Sequence, residues 1–123
     1  MKLLLFAFME EDRKRLQKYI FGLKRDLNCD IMGTLDELAD RLRYSKGAYS
    51  LSIILVTSQE EFDSILFIDR LFKGLSTIIV RPNWEKKTAS GALMFHPEYI
   101  SHSLNDLSDV SLVTDHMLKK TNR

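Results

Sequence analysis

Two short runs of the chain carry almost no polar side chains: residues 2–8, KLLLFAF, and residues 51–56, LSIILV. Each is too short for a comfortable helix and lacks the alternation of a half-exposed strand. Both predict strands covered on their two faces, as in the middle of a parallel sheet. Between them the period changes. Leu16, Tyr19, Ile20, Leu23 and Leu27 form one apolar stripe at helical spacing over 10–27. Glu10, Glu11 and Asp12 sit in its first turn and Lys24 and Arg25 near its end, each where the helix dipole favours that charge. The three acids read as a solvated, dipole-matched turn. Residues 29–32 predict a short second strand, ended by Gly33. Thr34-Leu35-Asp36-Glu37 is a capping box, and it opens a second helix reaching about Tyr44.

After the third strand, Ser58-Gln59-Glu60-Glu61 is another capping box. The helix behind it carries Phe62, Ile65, Leu66, Ile68, Leu71, Phe72 and Leu75, apolar around most of its girth. Residues 77–80 predict a fourth strand stopped by Pro82, and residues 92–95 a fifth, ended by His96-Pro97. Residues 109–120 predict a last helix with Val110, Val113 and Met117 inward. Short apolar strands alternating with helices imply an α/β fold in three α/β/α layers. Five parallel strands in the flavodoxin-like order 2-1-3-4-5 place the first and third strands centrally. The polar segment 81–91 is too short for a whole crossover helix, which takes at least about 10–12 residues with its turns. The fourth helix is therefore expected to be short or missing.

The 123 residues predict a single domain, 1–123. A formal net charge of +1 gives no bulk attraction for nucleic acid or an anionic membrane. The six apolar residues 3–8 are followed at once by Met9 and three acids, unlike a secretory leader. No run approaches the ~20 apolar residues of a membrane span. The single cysteine, Cys29, excludes an internal disulfide and suits a reducing compartment, the cytoplasm. It reads as a small buried apolar group. The histidines 96, 102 and 116 lack metal-ligand spacing, and no cofactor fingerprint occurs, so neither metal nor cofactor is expected.

Ligands of open α/β sheets gather at the carboxyl ends of the strands. The polar candidates there are Thr57, Ser58, Arg81, Asn83 and His96. Thr57 and Ser58 read as an anion site on the following helix or, more simply, Ser58 as its N-cap. His96 before Pro97 reads either as a cis peptide that places an imidazole at the strand end or as an exposed strand terminator. Arg81, Trp84, Lys86 and Lys87 make a basic segment with one aromatic. It reads as a partner-binding loop or as a solvated loop with Trp84 folded inward.

KLLLFAF with the helix MEEDRKRLQKYI, the strand SIILVTS and the strand ALMFHPEY together resemble the receiver domains of two-component response regulators. The resemblance extends over nearly the whole chain in element order, but its motifs are degenerate. It implies an acidic metal-holding pair at Ala7 and Phe8, with Glu10 and Glu11 a little further on. It implies a phosphoacceptor at Val56 or Thr57, a switch hydroxyl near Arg81 and Pro82, and a lysine at His96. Only Pro97 keeps the family's residue.

A receiver-like module that is not phosphorylated, binds Mg²⁺ poorly and works through a protein partner is therefore expected. The family's usual partner surface adds Phe95 and Tyr99 to Arg81, Trp84, Lys86 and Lys87 as candidates, and a homodimer through the fourth-strand to last-helix face. The other class is an enzyme or small-ligand binder with its site near Thr57, Arg81 and His96. The chain also ends soon after its last helix, as a domain cut from a longer regulator would.

Overall fold

The computed structural model describes residues 2–21, 28–81 and 99–101. Strands β1 (Lys2–Ala7), β2 (Asn28–Met32), β3 (Leu51–Leu55), β4 (Thr77–Val80) and β5 (Tyr99–Ser101) form one parallel sheet in the order β2-β1-β3-β4-β5. Helices α1 (Glu10–Phe21), α2 (Leu35–Ser45) and α3 (Gln59–Phe67) connect the first four strands. The expected flavodoxin-like, receiver-like order is thus the observed one. Because the strands are parallel, each of these helices starts at the carboxyl edge of the sheet.

The alternation of the buried strands divides the core in two. Leu3, Leu5 and Ala7 of β1 and Leu51, Ile53 and Leu55 of β3 pack with Leu16 and Ile20 of α1. Leu4, Phe6, Ile54 and Val56 pack on the opposite face with Leu38 and Leu42 of α2 and Phe62 and Ile65 of α3. All five residues of β3 are buried. Ser52 is tolerated there because its hydroxyl lies 2.7 Å from that of Thr77 on β4, the residue it pairs with in register.

Both expected N-caps form. Thr34 Oγ1 accepts from the Glu37 amide at 3.2 Å, and Ser58 Oγ accepts from the Glu61 amide at 3.1 Å. Beyond Phe67 the third helix does not run on to residue 75. Ile68 leaves helical geometry, and a 3-10 turn, Asp69–Phe72, follows. Gly74 then turns the chain with φ +86°, a conformation open to glycine. Nor is the helix covered on all sides, since Phe67 is 88% exposed. Cys29 is only half-buried; burial, and then the Asp30 charge, raise its thiol pKa.

The fifth strand corrects the expected position. Residues 92–95 lie outside the described residues, and the segment paired with β4 is Tyr99–Ser101, later in the chain. Both segments, the four residues 92–95 and the three of Tyr99–Ser101, are short enough to be edge strands, and local pattern does not separate them. The consequence is that His96 and Pro97 precede β5 instead of ending it.

Candidate functional site

The carboxyl edge of the sheet is built from three strand ends. At the first, β1 stops at Ala7 and the chain turns through Phe8 and Met9 into α1. Phe8 is half-buried, with its ring edge-on to Phe6 at 4.8 Å. One turn into α1, Arg13 folds back over the strand. Its Nη1 donates to the carbonyls of Ala7 at 2.9 Å and Phe8 at 3.1 Å. The guanidinium has room because Gly33, just after β2, has no side chain: a Cβ there would lie 2.7 Å from Arg13 Cζ. A fixed cation thus holds the backbone oxygens at the end of β1.

Asp12, beside it, is not the solvated acid its position in a first turn suggests. Only 8% of its surface is exposed, whereas Glu10 and Glu11 are on the surface. Burial raises its pKa, and the charges of Glu61 and Glu11 raise it further against the pull of Arg15. The influence of Glu61 is informative about geometry. Asp12 on α1 and Glu61 on α3 belong to helices on opposite faces of the sheet, both starting at its carboxyl edge.

At the second strand end, Thr57 follows β3 and is exposed. Glu61 turns its carboxylate back onto it: Oε1 accepts from Thr57 N at 2.9 Å and from Thr57 Oγ1 at 3.2 Å. Ser58 is the N-cap of α3, so its hydroxyl is already used. At the third strand end, Arg81 follows β4 and is 7% exposed. Its Nη2 donates to Gln59 Oε1 at 2.8 Å, and its guanidinium carbon lies 4.8 Å from the Phe62 ring centroid. Burial lowers its pKa, opposed by Asp63. Arg81 therefore ties the end of β4 to the first turn of α3.

The structure brings Ala7, Phe8, Thr57, Ser58 and Arg81 to one edge, as expected, but Thr57 and Arg81 are each turned onto α3 and share no common focus. Glu10 and Glu11 stand at that edge in the surface of α1. Pro82, Asn83, Trp84, Lys86, Lys87, Phe95, His96 and Pro97 lie outside the described residues, as does the last-helix side of the expected dimer face. Tyr99 opens β5. Sequence reasoning did not pick out Asp12, Arg13 or Glu61 as site residues. Glu61 was visible only as the end of a capping box, and Arg13 carried no local signal.

A receiver-type magnesium site does not fit these residues. Mg²⁺ is held by oxygen ligands in near-ideal octahedral geometry. Here the β1 positions are alanine and phenylalanine, the β3 position is threonine, and Glu61 Oε1 is engaged by Thr57. No group of three or more Asp, Glu, His or Cys side chains suited to a metal ion gathers among the described residues.

A second polar cluster lies at the β2 edge. Asp30 Oδ2 accepts from Tyr49 Oη at 2.6 Å and pairs with Lys2 Nζ at 3.1 Å and Arg41 Nη1 at 3.8 Å. These contacts, the Tyr49 hydrogen bond first, lower the Asp30 pKa. Burial and then Asp30 raise Tyr49 to about 12. This cluster is a partly exposed brace that ties β1, β2, α2 and Tyr49 together at Asp30 Oδ2.

No family model and no curated protein match the chain. Solved structures do. It is similar to a two-component response regulator from Clostridium difficile, with a TM-score of 0.77 at 12% identity over 100% of this chain and 99% of that one. It is similar to a response regulator receiver protein from Pseudoalteromonas atlantica, with a TM-score of 0.71 at 13% identity over 98% and 95%. A provisionally named pilus assembly-related protein from Burkholderia pseudomallei gives 0.70 at 15% identity over 95% and 90%. At such identities the likeness defines the fold: this chain has the fold of response-regulator receiver domains. No helix among the described residues is long and apolar enough to cross a membrane.

Proposed function

We propose that the chain is a receiver-fold signalling module that accepts no phosphoryl group at its strand-end site, is not an enzyme, and acts by binding another protein. The observation that carries this reading is Thr57 at the end of β3 with the Glu61 carboxylate hydrogen-bonded onto it. Phosphoryl acceptance on a carboxylate needs a free acid oxygen and a cation to offset the phosphoryl charge. The acid present, Glu61, has Oε1 taken by the amide and hydroxyl of Thr57, and the Arg13 cation is spent on carbonyls. Arg81 supports the same reading. A phosphorylation switch needs a strand end that can take two positions, and a buried arginine bonded to Gln59 opposes movement of β4 away from α3. The pilus-related neighbour supports use of this fold beyond proteins named as regulators. Incubation with acetyl phosphate and Mg²⁺, read by intact-protein mass, should leave the mass unchanged. Stoichiometric addition of one phosphoryl group would overturn the reading.

A further inference from the structure

A single exposed apolar side chain is ordinary, whereas aromatics gathered with charge of one sign mark a binding surface. Tyr44 is 82% exposed in the last turn of α2, and Phe67, 88% exposed, ends α3. Both helices pack on one face of the sheet and start at its carboxyl edge, so both aromatics stand at the amino edge. Each comes two residues after a buried one, Leu42 and Ile65, and so projects from the outer side of its helix. A direct bond joins the two helix ends. Lys46 Nζ, in the 3-10 turn Lys46–Ala48 after α2, donates to the Lys73 carbonyl beyond α3 at 2.6 Å. The charge here is mostly positive: residues 43–48 and 67–74 hold Arg43, Lys46, Arg70 and Lys73 against one acid, Asp69. Arg43, Arg70 and Lys73 are exposed, and Asp69 is half-buried.

Resting on the reading of the chain as a binding module, we propose that the joined ends of α2 and α3 dock an acidic segment of the protein partner with apolar side chains between its carboxylates. The carboxylates meet Arg43, Arg70 and Lys73, and the apolar side chains lie on Tyr44 and Phe67. Charge complementarity selects an acidic occupant, and tyrosine and arginine are the residues that most often carry binding energy. A symmetric pair of copies would set these cations against their own kind. A bilayer is held by a broad field of one sign, whereas here the net charge is +1 and the exposed acids Asp40 and Asp63 stand on the same two helices.

The probe is the capped peptide Glu-Phe-Glu-Leu-Glu, titrated into the ¹⁵N-labelled full chain, with Glu-Ser-Glu-Ser-Glu and Lys-Phe-Lys-Leu-Lys in parallel. The first peptide alone should give saturable amide shifts centred on 43–46 and 67–73, weakened by salt. Phe67→Ser and Arg70→Glu, each checked for native circular dichroism, should weaken it about tenfold. Met9→Ser, which removes exposed apolar surface at the opposite edge, should bind as the parent does. Equal response to the serine or lysine peptide, unchanged affinity in Phe67→Ser or Arg70→Glu, or no saturable shift at millimolar peptide would overturn the proposal. So would sedimentation with phosphatidylserine vesicles, or self-association of the full chain, that Phe67→Ser abolishes; these give the patch to a membrane or to a second copy. If the peptide fails while acetyl phosphate still adds nothing, only this docking surface falls. Phosphorylation of the chain would remove the binding-module reading beneath it.

Discussion

Asp12 is a residue kept where its charge is disfavoured, and that has a measurable cost. Its folded pKa is raised, so the stability it contributes is complete below the ordinary value of 3.8 and is lost as pH climbs through the folded value. Asparagine has no such loss. Asp12→Asn should therefore gain more stability at about pH 7 than at about pH 3, read by urea unfolding. No gain at neutral pH would mean that the carboxylate is compensated. Tyr49 behaves in the same sense at the other end of the scale. Raised from 10 to about 12, it contributes stability that is complete below 10 and lost as pH rises toward 12. Tyr49→Phe should cost about 1–2 kcal/mol at neutral pH and unfold with a shallower alkaline slope than the parent. An unchanged slope between about pH 10 and 12 would contradict the Tyr49–Asp30 bond.

Among the elements, the start of α1 is fixed by a contact between distant segments. Arg13 reaches the Ala7 and Phe8 carbonyls only because Gly33 leaves space. Gly33→Ala should displace the guanidinium and cost about 1–2 kcal/mol. In an Arg13→Ala background the same change should cost much less, the non-additivity that marks shared partners. Additive losses would separate the two residues. This contact also shows where sequence pattern stops. The capping boxes at Thr34 and Ser58 were legible because all their partners lie within one turn. Arg13 was not, since its acceptors are main-chain oxygens, which any residue supplies. Asp12 was hidden for a related reason: three acids in a row announce a first turn without saying which one the helix turns inward. The fifth strand failed because two short segments, 92–95 and 99–101, competed and pairing with β4 decided between them.

For the whole molecule, the sheet order was legible, because fully apolar β1 and β3 demanded cover on both faces. The same order ranks local stability. Amides of β1 and β3 lie between two strands, whereas β5 pairs on one side over three residues. Native-state hydrogen exchange should find β3 at least about tenfold better protected than β5. Similar protection in the two would contradict the order. The parallel arrangement also gathers the acidic first turns of α1, α2 and α3 at one edge, a polarity that a net charge of +1 conceals. One pair of hydroxyls, Ser52 and Thr77, joins β3 and β4 among buried aliphatic side chains. If β4 slid so that Ser52 met Ile78 and Thr77 met Leu51, the bond between the two hydroxyls would be lost, a penalty of about 1–3 kcal/mol. The two strands are otherwise so alike in greasiness that little else would punish the slip; these small alcohols act as the notch and tooth that let the chain recognise its own correct alignment.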